Sequence, residues 1–254
     1  MRGAGTLNAR EIPRIAAPLL LGAAVLLSFR LEKPAPPVEL SGGEPPEPSA
    51  AEVRTGLARA TGPGSPGYDR GVTGAPVTVV EFADFACPYC ARFALESYPT
   101  LAQEFVETGQ VRWKYVPFVL GIFANGEQAT RAAECAGEQG QAAFGKMHDD
   151  LYVEQDVWKA APDPAAVFRS MARSAGLDGD RFASCLASDA PDRRIGASNA
   201  LADQLGVRAT PTFFVAGRRV QGALRAEDFR AVLLQALAAA RATPRRPAAE
   251  SEAP

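Results

Sequence analysis

The residues of this 254-residue chain best suited to chemistry are Cys87 and Cys90, in Cys87-Pro88-Tyr89-Cys90. A CxxC can be half of a zinc site, a structural disulfide or a redox dithiol. Zinc needs a second cysteine pair or two histidines at helical spacing. The chain has one histidine, His148, and its other cysteines, Cys135 and Cys185, stand 50 residues apart, so no metal site is expected. Position favours the redox reading. Residues 77–82, VTVVEF, read as a strand and ARFALESY after the dithiol as a helix. Cys87 at the helix N-terminus meets free N–H groups and the positive end of the dipole, which favour thiolate over thiol. Cys90 lies one turn deeper on the same side, within reach for intramolecular attack. Pro88 suits the first turn, where its missing N–H has no helical partner anyway.

A second signal, Thr210-Pro211, stands just before the TFFV strand at 212–215. A proline can simply start a strand, and only about 5–6% of X-Pro bonds are cis. Four cysteines allow three connectivities, and pairing Cys87 with Cys90 leaves Cys135 with Cys185. The expectation is a structural disulfide between two helices; two buried thiols or a second redox pair are the alternatives.

The elements around these residues form a βα unit, a helical block, and a hairpin with a final helix. Residues 111–116, VRWKYV, alternate like a second strand. Helical stretches follow at 127–136, 141–152, 164–175, 180–187 and 192–205. A turn at Ala216-Gly217 joins TFFV to RRVQG. Phe229, Val232, Leu233, Ala236, Leu237 and Ala240 mark the apolar face of the last helix. Trp113, Phe118, Phe144 and Met147 are read as core. Asp84 is read as a loop cap and His148 as a helix-surface residue. Phe85, Tyr89 and Phe93 flank the dithiol and could line a peptide groove.

Composition divides the chain. The 27 basic and 29 acidic residues give a net charge of −2, with no electrostatic basis for nucleic-acid binding. Residues 1–33 hold three arginines ahead of an uncharged apolar run at 15–29. Residues 30–33, RLEK, do not resemble a cleavage site, so a retained signal-anchor is favoured, with cleavage and secretion the alternative. Residues 34–75 carry eight prolines and eight glycines with few large apolar side chains, and read as a flexible tether. A domain at 76–241 and a disordered tail at 242–254 complete the division.

Taken together, VVEFADFACPYCARF, CAGEQGQAAFGKMHDDLY and GVRATPTFFVAG with the final helix resemble the DsbA-like branch of the thioredoxin superfamily, over residues 76–241. The resemblance implies an α/β thioredoxin fold, a central mixed sheet flanked by helices, with a helical insertion at about 121–205. It implies an exposed nucleophile, Cys87, and a buried resolving cysteine, Cys90. Pro211 would be the family's cis-proline, preceded by Thr210, in a loop that pairs with an extended substrate. Glu81 matches a buried acid that handles the resolving thiol's proton; the plainer reading is a polar strand position. Tyr89 fills a slot that often holds histidine, which implies a less acidic Cys87 and a less oxidising couple. The implied activity is thiol–disulfide exchange on exported cysteine-containing proteins, with disulfide donation preferred over reduction or isomerisation. A membrane redox partner would recycle the dithiol, no cofactor is implied, and the domain would sit outside the cytoplasm on its anchor. A non-catalytic peptide-binding or chaperone module with a structural CxxC is the alternative of another class.

Overall fold

Strand β2 (Val77–Ala83) is buried along nearly its whole length, because it runs through the middle of a five-stranded sheet. The sheet order is β1 (Tyr68–Arg70), β3 (Val111–Pro117), β2, β4 (Thr212–Val215), β5 (Arg218–Gln221). Among the described residues, β2 and β3 pair in parallel and the other neighbours are antiparallel. A computed structural model describes residues 47–242. The expected signal-anchor at 15–29, residues 34–46 of the expected tether and the tail beyond residue 242 lie outside the described residues. Among the described residues, no helix is long and apolar enough to cross a membrane.

The two-residue period of the strands sorts their side chains onto two faces. Val77, Val79, Trp113, Phe213 and Val215 pack with Phe93, Leu101, Phe229 and Leu233 on one face. These helical residues come from the segment after the dithiol and from α10 (Ala226–Ala242). Val80, Phe82, Val116 and Phe214 pack on the other face with Leu201 and Leu205. Parity therefore sends Glu81 to the first face, opposite Tyr115 on β3 and Phe213 on β4. The β4–β5 turn has positive φ at Ala216 (47°) and Gly217 (85°), as a two-residue hairpin requires.

The segment after the dithiol is a broken helix: α2 (Pro88–Arg92), a π turn (Phe93–Ser97), α3 (Tyr98–Leu101) and a second π turn (Ala102–Val106). Between β3 and β4 lies the helical insertion. It comprises α4 (Gly126–Gly137), α5 (Gln141–Val153), α6 (Gln155–Ala160), α7 (Ala165–Ser174), α8 (Gly179–Leu186) and α9 (Ala190–Gln204). Five of these match the sequence expectation within two residues at each end. The sixth, α6, falls between the helical stretches expected at 141–152 and 164–175. Cys135 of α4 is disulfide-bonded to Cys185 of α8.

The expected tether at 34–75 is overturned for its described part. Residues 50–61 form α1 (Ala50–Thr61), started by a reciprocal cap in which Ser49 accepts from the Glu52 N–H and Glu52 accepts from the Ser49 N–H. Its Gly56 and Ala60 are buried, and a Cβ on Gly56 would come within 2.6 Å of Leu205 Cδ2. Counting prolines and glycines missed this cap, and missed that glycine allows the helix to close on α9. Tyr68 then carries β1 onto β3, stacks on Phe144 at 3.5 Å and donates to Glu134 Oε2 at 2.8 Å. A chain trimmed to start at residue 76 is expected to lose on the order of 3 kcal/mol against one starting at 47, because it uncovers Leu205 and Phe144. Denaturant titration of the two chains measures the difference.

Candidate active site

The loop between β2 and α2 is held from three sides. Asp84 is buried and caps it, Oδ1 accepting from the Ala86 N–H at 2.8 Å and Oδ2 from the Leu120 N–H at 2.9 Å. From α6, Gln155 Nε2 donates to the Phe85 carbonyl at 2.6 Å and the Cys87 carbonyl at 3.1 Å. Lys159 Nζ donates to the Ala86 carbonyl at 2.8 Å. Sequence reasoning missed Gln155 and Lys159; their spacing of one helical turn is too common a pattern to single them out.

Cys87 is the N-cap of α2 and Pro88 follows in the first turn. The Cys87 thiol is drawn down to about 6, first by the Cys90 thiol, then by the Thr210 hydroxyl and the N–H groups of Cys90 and Tyr89, against an opposing effect of burial. Burial pushes Cys90 well above its ordinary value. One sulfur is thus set to be a thiolate and the other a thiol, in adjacent helical turns. Cys87 is not the exposed residue that the resemblance implied. It is 2% exposed and Cys90 fully covered. The pinned loop and the Thr210 backbone close over Cys87, whose Sγ lies 3.5 Å from the Thr210 carbonyl oxygen.

The Thr210–Pro211 peptide is cis. The Thr210 hydroxyl is buried without a hydrogen-bond partner among the described residues, and its side chain favours the thiolate form of both sulfurs. Tyr89 is 57% exposed with the Arg92 guanidinium 5.3 Å from its ring centroid. Its ring points outward, so Tyr89 acts on Cys87 through its backbone N–H rather than its phenol.

Glu81 is buried under the dithiol helix, Oε2 accepting from Trp113 Nε1 at 2.7 Å. Desolvation raises its carboxyl to about 7, with the Trp113 bond and Arg70 opposing the rise. His148 is buried, correcting the surface expectation. Its ring packs edge-on to Tyr115 at 4.6 Å and Tyr152 at 5.0 Å. The reason was present in the sequence: Phe144, Met147, His148, Leu151 and Tyr152 share one face at helical spacing, and all are buried. Phe85 joins that ring cluster and Phe93 the sheet core, so neither lines an exposed groove. Trp113, Phe118, Phe144 and Met147 are core as expected.

Residues 66–235 match the family model described as Thioredoxin. The chain is 40% identical over 189 residues to the Na(+)/H(+) antiporter NhaA 3 of Salinispora tropica, covering 72% of this chain and 27% of that protein. It is 26% identical over 151 residues to disulfide bond formation protein D of Bacillus subtilis, covering 56% of this chain and 64% of that protein. The chain thus spans about a quarter of the length of the antiporters it matches. Similar solved structures include α-DsbA1 of Wolbachia pipientis, with a TM-score of 0.62, 20% identity and coverage of 69% of this chain and 92% of that one. Oxidised BdbD of Bacillus subtilis has a TM-score of 0.60 at 20% identity, with coverage of 76% and 96%.

Because Cys87 is depressed in the folded state, the reduced protein should gain stability as pH rises from about 6 towards the ordinary thiol value of 9.0. Thiolate absorbance should titrate with a midpoint near 6, and Thr210→Val should raise that midpoint by roughly half a unit or more. Glu81 has the opposite sign. Its raised carboxyl loses stability for the fold as pH climbs from 4.5 through about 7. Glu81→Gln should therefore be more stable than the parent at pH 8, by on the order of 3 kcal/mol in denaturant titration, and match it near pH 4.

Proposed function

Since this chain belongs to the thioredoxin family, with the architecture of its DsbA-like members, we propose that it is a thiol–disulfide oxidoreductase that donates the Cys87–Cys90 disulfide to exported proteins. The observation that carries this reading is the division between the two sulfurs. Cys87 is drawn toward thiolate and Cys90 is held as a thiol beside an acid near neutrality.

In the donating direction a client thiolate attacks Cys87 Sγ. A client–Cys87 disulfide forms and the Cys87–Cys90 bond breaks, its electron pair leaving on Cys90 Sγ. Glu81 supplies the proton that the buried sulfur needs. A second client thiolate then attacks the client sulfur of the mixed disulfide, and Cys87 leaves as a thiolate. The reduced form is stabilised by that thiolate, which favours giving the disulfide away. The value near 6 is less extreme than the most acidic thiols of this kind, about 3.5, in keeping with a moderate oxidant. Thr210 and the cis-Pro211 flank Cys87, where a client main chain can lie against the loop.

The setting is extracytoplasmic, with the catalytic domain held to the membrane by residues 15–29 and recycled by a membrane redox partner. The apolar run and its basic flank support the anchor. The Cys135–Cys185 disulfide supports an oxidising compartment, where such a bond serves as a structural tie between α4 and α8. Cys90→Ser should trap client proteins as mixed disulfides on Cys87, visible as thiol-sensitive adducts on non-reducing gels, and Cys87→Ser should trap none. Absence of adducts from Cys90→Ser would leave a peptide-binding module with no exchange activity.

A further inference from the structure

Glu81 must exchange a proton with solvent in every cycle, yet it is closed in by the sheet and the dithiol helix. It faces a narrow internal cavity of about 10 Å³, which accommodates a single water molecule. Arg70, Tyr98, Trp113, Tyr115 and His148 line the cavity with it. Beyond lies an open surface pocket of about 330 Å³, reached by Asp149, Tyr152 and Val153. The cavity and the pocket share three wall residues: Arg70, Ala94 and Tyr98. Arg70 therefore stands with one side toward Glu81 and the other toward water, its side chain 31% exposed. Its guanidinium holds Asp149 Oδ1 at 2.7 Å and the Gly145 carbonyl at 3.1 Å, and lies 5.5 Å from the Tyr98 ring centroid. Ala94 belongs to the π turn Phe93–Ser97, a wide turn of a type often found at functional sites.

The geometry points to a proton route from Glu81 through this cavity to the Asp149 pocket, with Arg70 and Tyr98 as its gate and Arg70 as the residue that positions charge beside the acid. The inference rests on the exchange activity proposed above. When Cys90 resolves a mixed disulfide, its proton goes to the Glu81 carboxylate and its sulfur to the new bond with Cys87. The departing thiolate leaves with the other electron pair. Glu81 then returns its proton to solvent past Arg70. The groups that face Glu81 are Arg70 from β1, Trp113 and Tyr115 from β3, Cys90 from α2, Tyr98 from α3, and His148 and Tyr152 from α5. The tyrosines and Cys90 are shifted upward and His148 downward by burial, which leaves Arg70 as the cation.

The test uses the reduced full chain and oxidised glutathione. The resolution rate of the Cys87–glutathione disulfide is followed by acid quench and mass spectrometry between pH 5 and 9. Arg70→Met should move the midpoint of the rate profile upward by about one pH unit, so that resolution on its acidic side slows about tenfold. Arg70→Lys should restore most of the shift. Ala94→Leu, which fills the shared wall without changing charge, should lower the plateau about fivefold or more and leave the midpoint in place. A purely structural role would lower the melting temperature of each variant without moving the profile. An Arg70→Met profile that overlays the parent, or an Ala94→Leu plateau equal to it, overturns the route while leaving exchange intact. Failure of the parent to form or resolve the mixed disulfide overturns the exchange reading and this inference together.

Discussion

The low-polarity ground beneath the dithiol is the constraint on which the rest depends. Cys90 and Glu81 are both withdrawn from water, and in that setting either one is costly to ionise. Neither could be tolerated as an isolated charge, so the structure supplies each with a measured set of partners. Trp113 gives Glu81 one hydrogen bond, and Arg70 adds a positive charge across the small cavity they share. Cys90 has only the Thr210 side chain to oppose the effect of burial, while Cys87 collects N–H groups as well. The asymmetry between two cysteines of the same tetrapeptide comes from this difference in surroundings.

The helical insertion is part of the same arrangement. Its α6 grips the loop that leads into Cys87, and its α5 contributes the rings that close the floor beside Glu81. The Cys135–Cys185 bond and the Arg194 contacts to Glu134 and Glu138 hold α4, α8 and α9 as one body. Asn125, at the start of α4, donates to the Trp158 carbonyl of α6 at 2.9 Å, which joins this body to the helix that holds the dithiol loop. The sheet fixes Glu81 by strand parity, and the insertion fixes the loop above it.

What could be read in the sequence follows from what is local. The strand–dithiol–helix order, Thr210-Pro211 and the hairpin were legible because each is written in a few consecutive residues. The period of the last helix was legible because it is long. Glu81 was found only through the family resemblance, because no local pattern distinguishes a buried acid from a polar strand residue. His148 was misread from its polarity, although the spacing of its neighbours places it inward. Residues 47–75 were misread because proline and glycine were counted without regard to caps and close helix contacts. Gln155 and Lys159 were missed for a deeper reason: their roles arise from contacts with residues 68 or more positions away, and no pattern along the chain encodes these.

The grip of Gln155 and Lys159 on three successive carbonyls, Phe85, Ala86 and Cys87, bears on how portable this chemistry is. The tetrapeptide cannot be regarded as a cassette. Moved onto a bare sheet without α6, the loop would have to satisfy those carbonyls with solvent, and water would enter where the sulfur is now covered. A minimised scaffold would need a replacement clasp as much as it would need the two cysteines. For a designer, the smallest transferable unit is the dithiol together with a helix that lies more than sixty residues further along the chain.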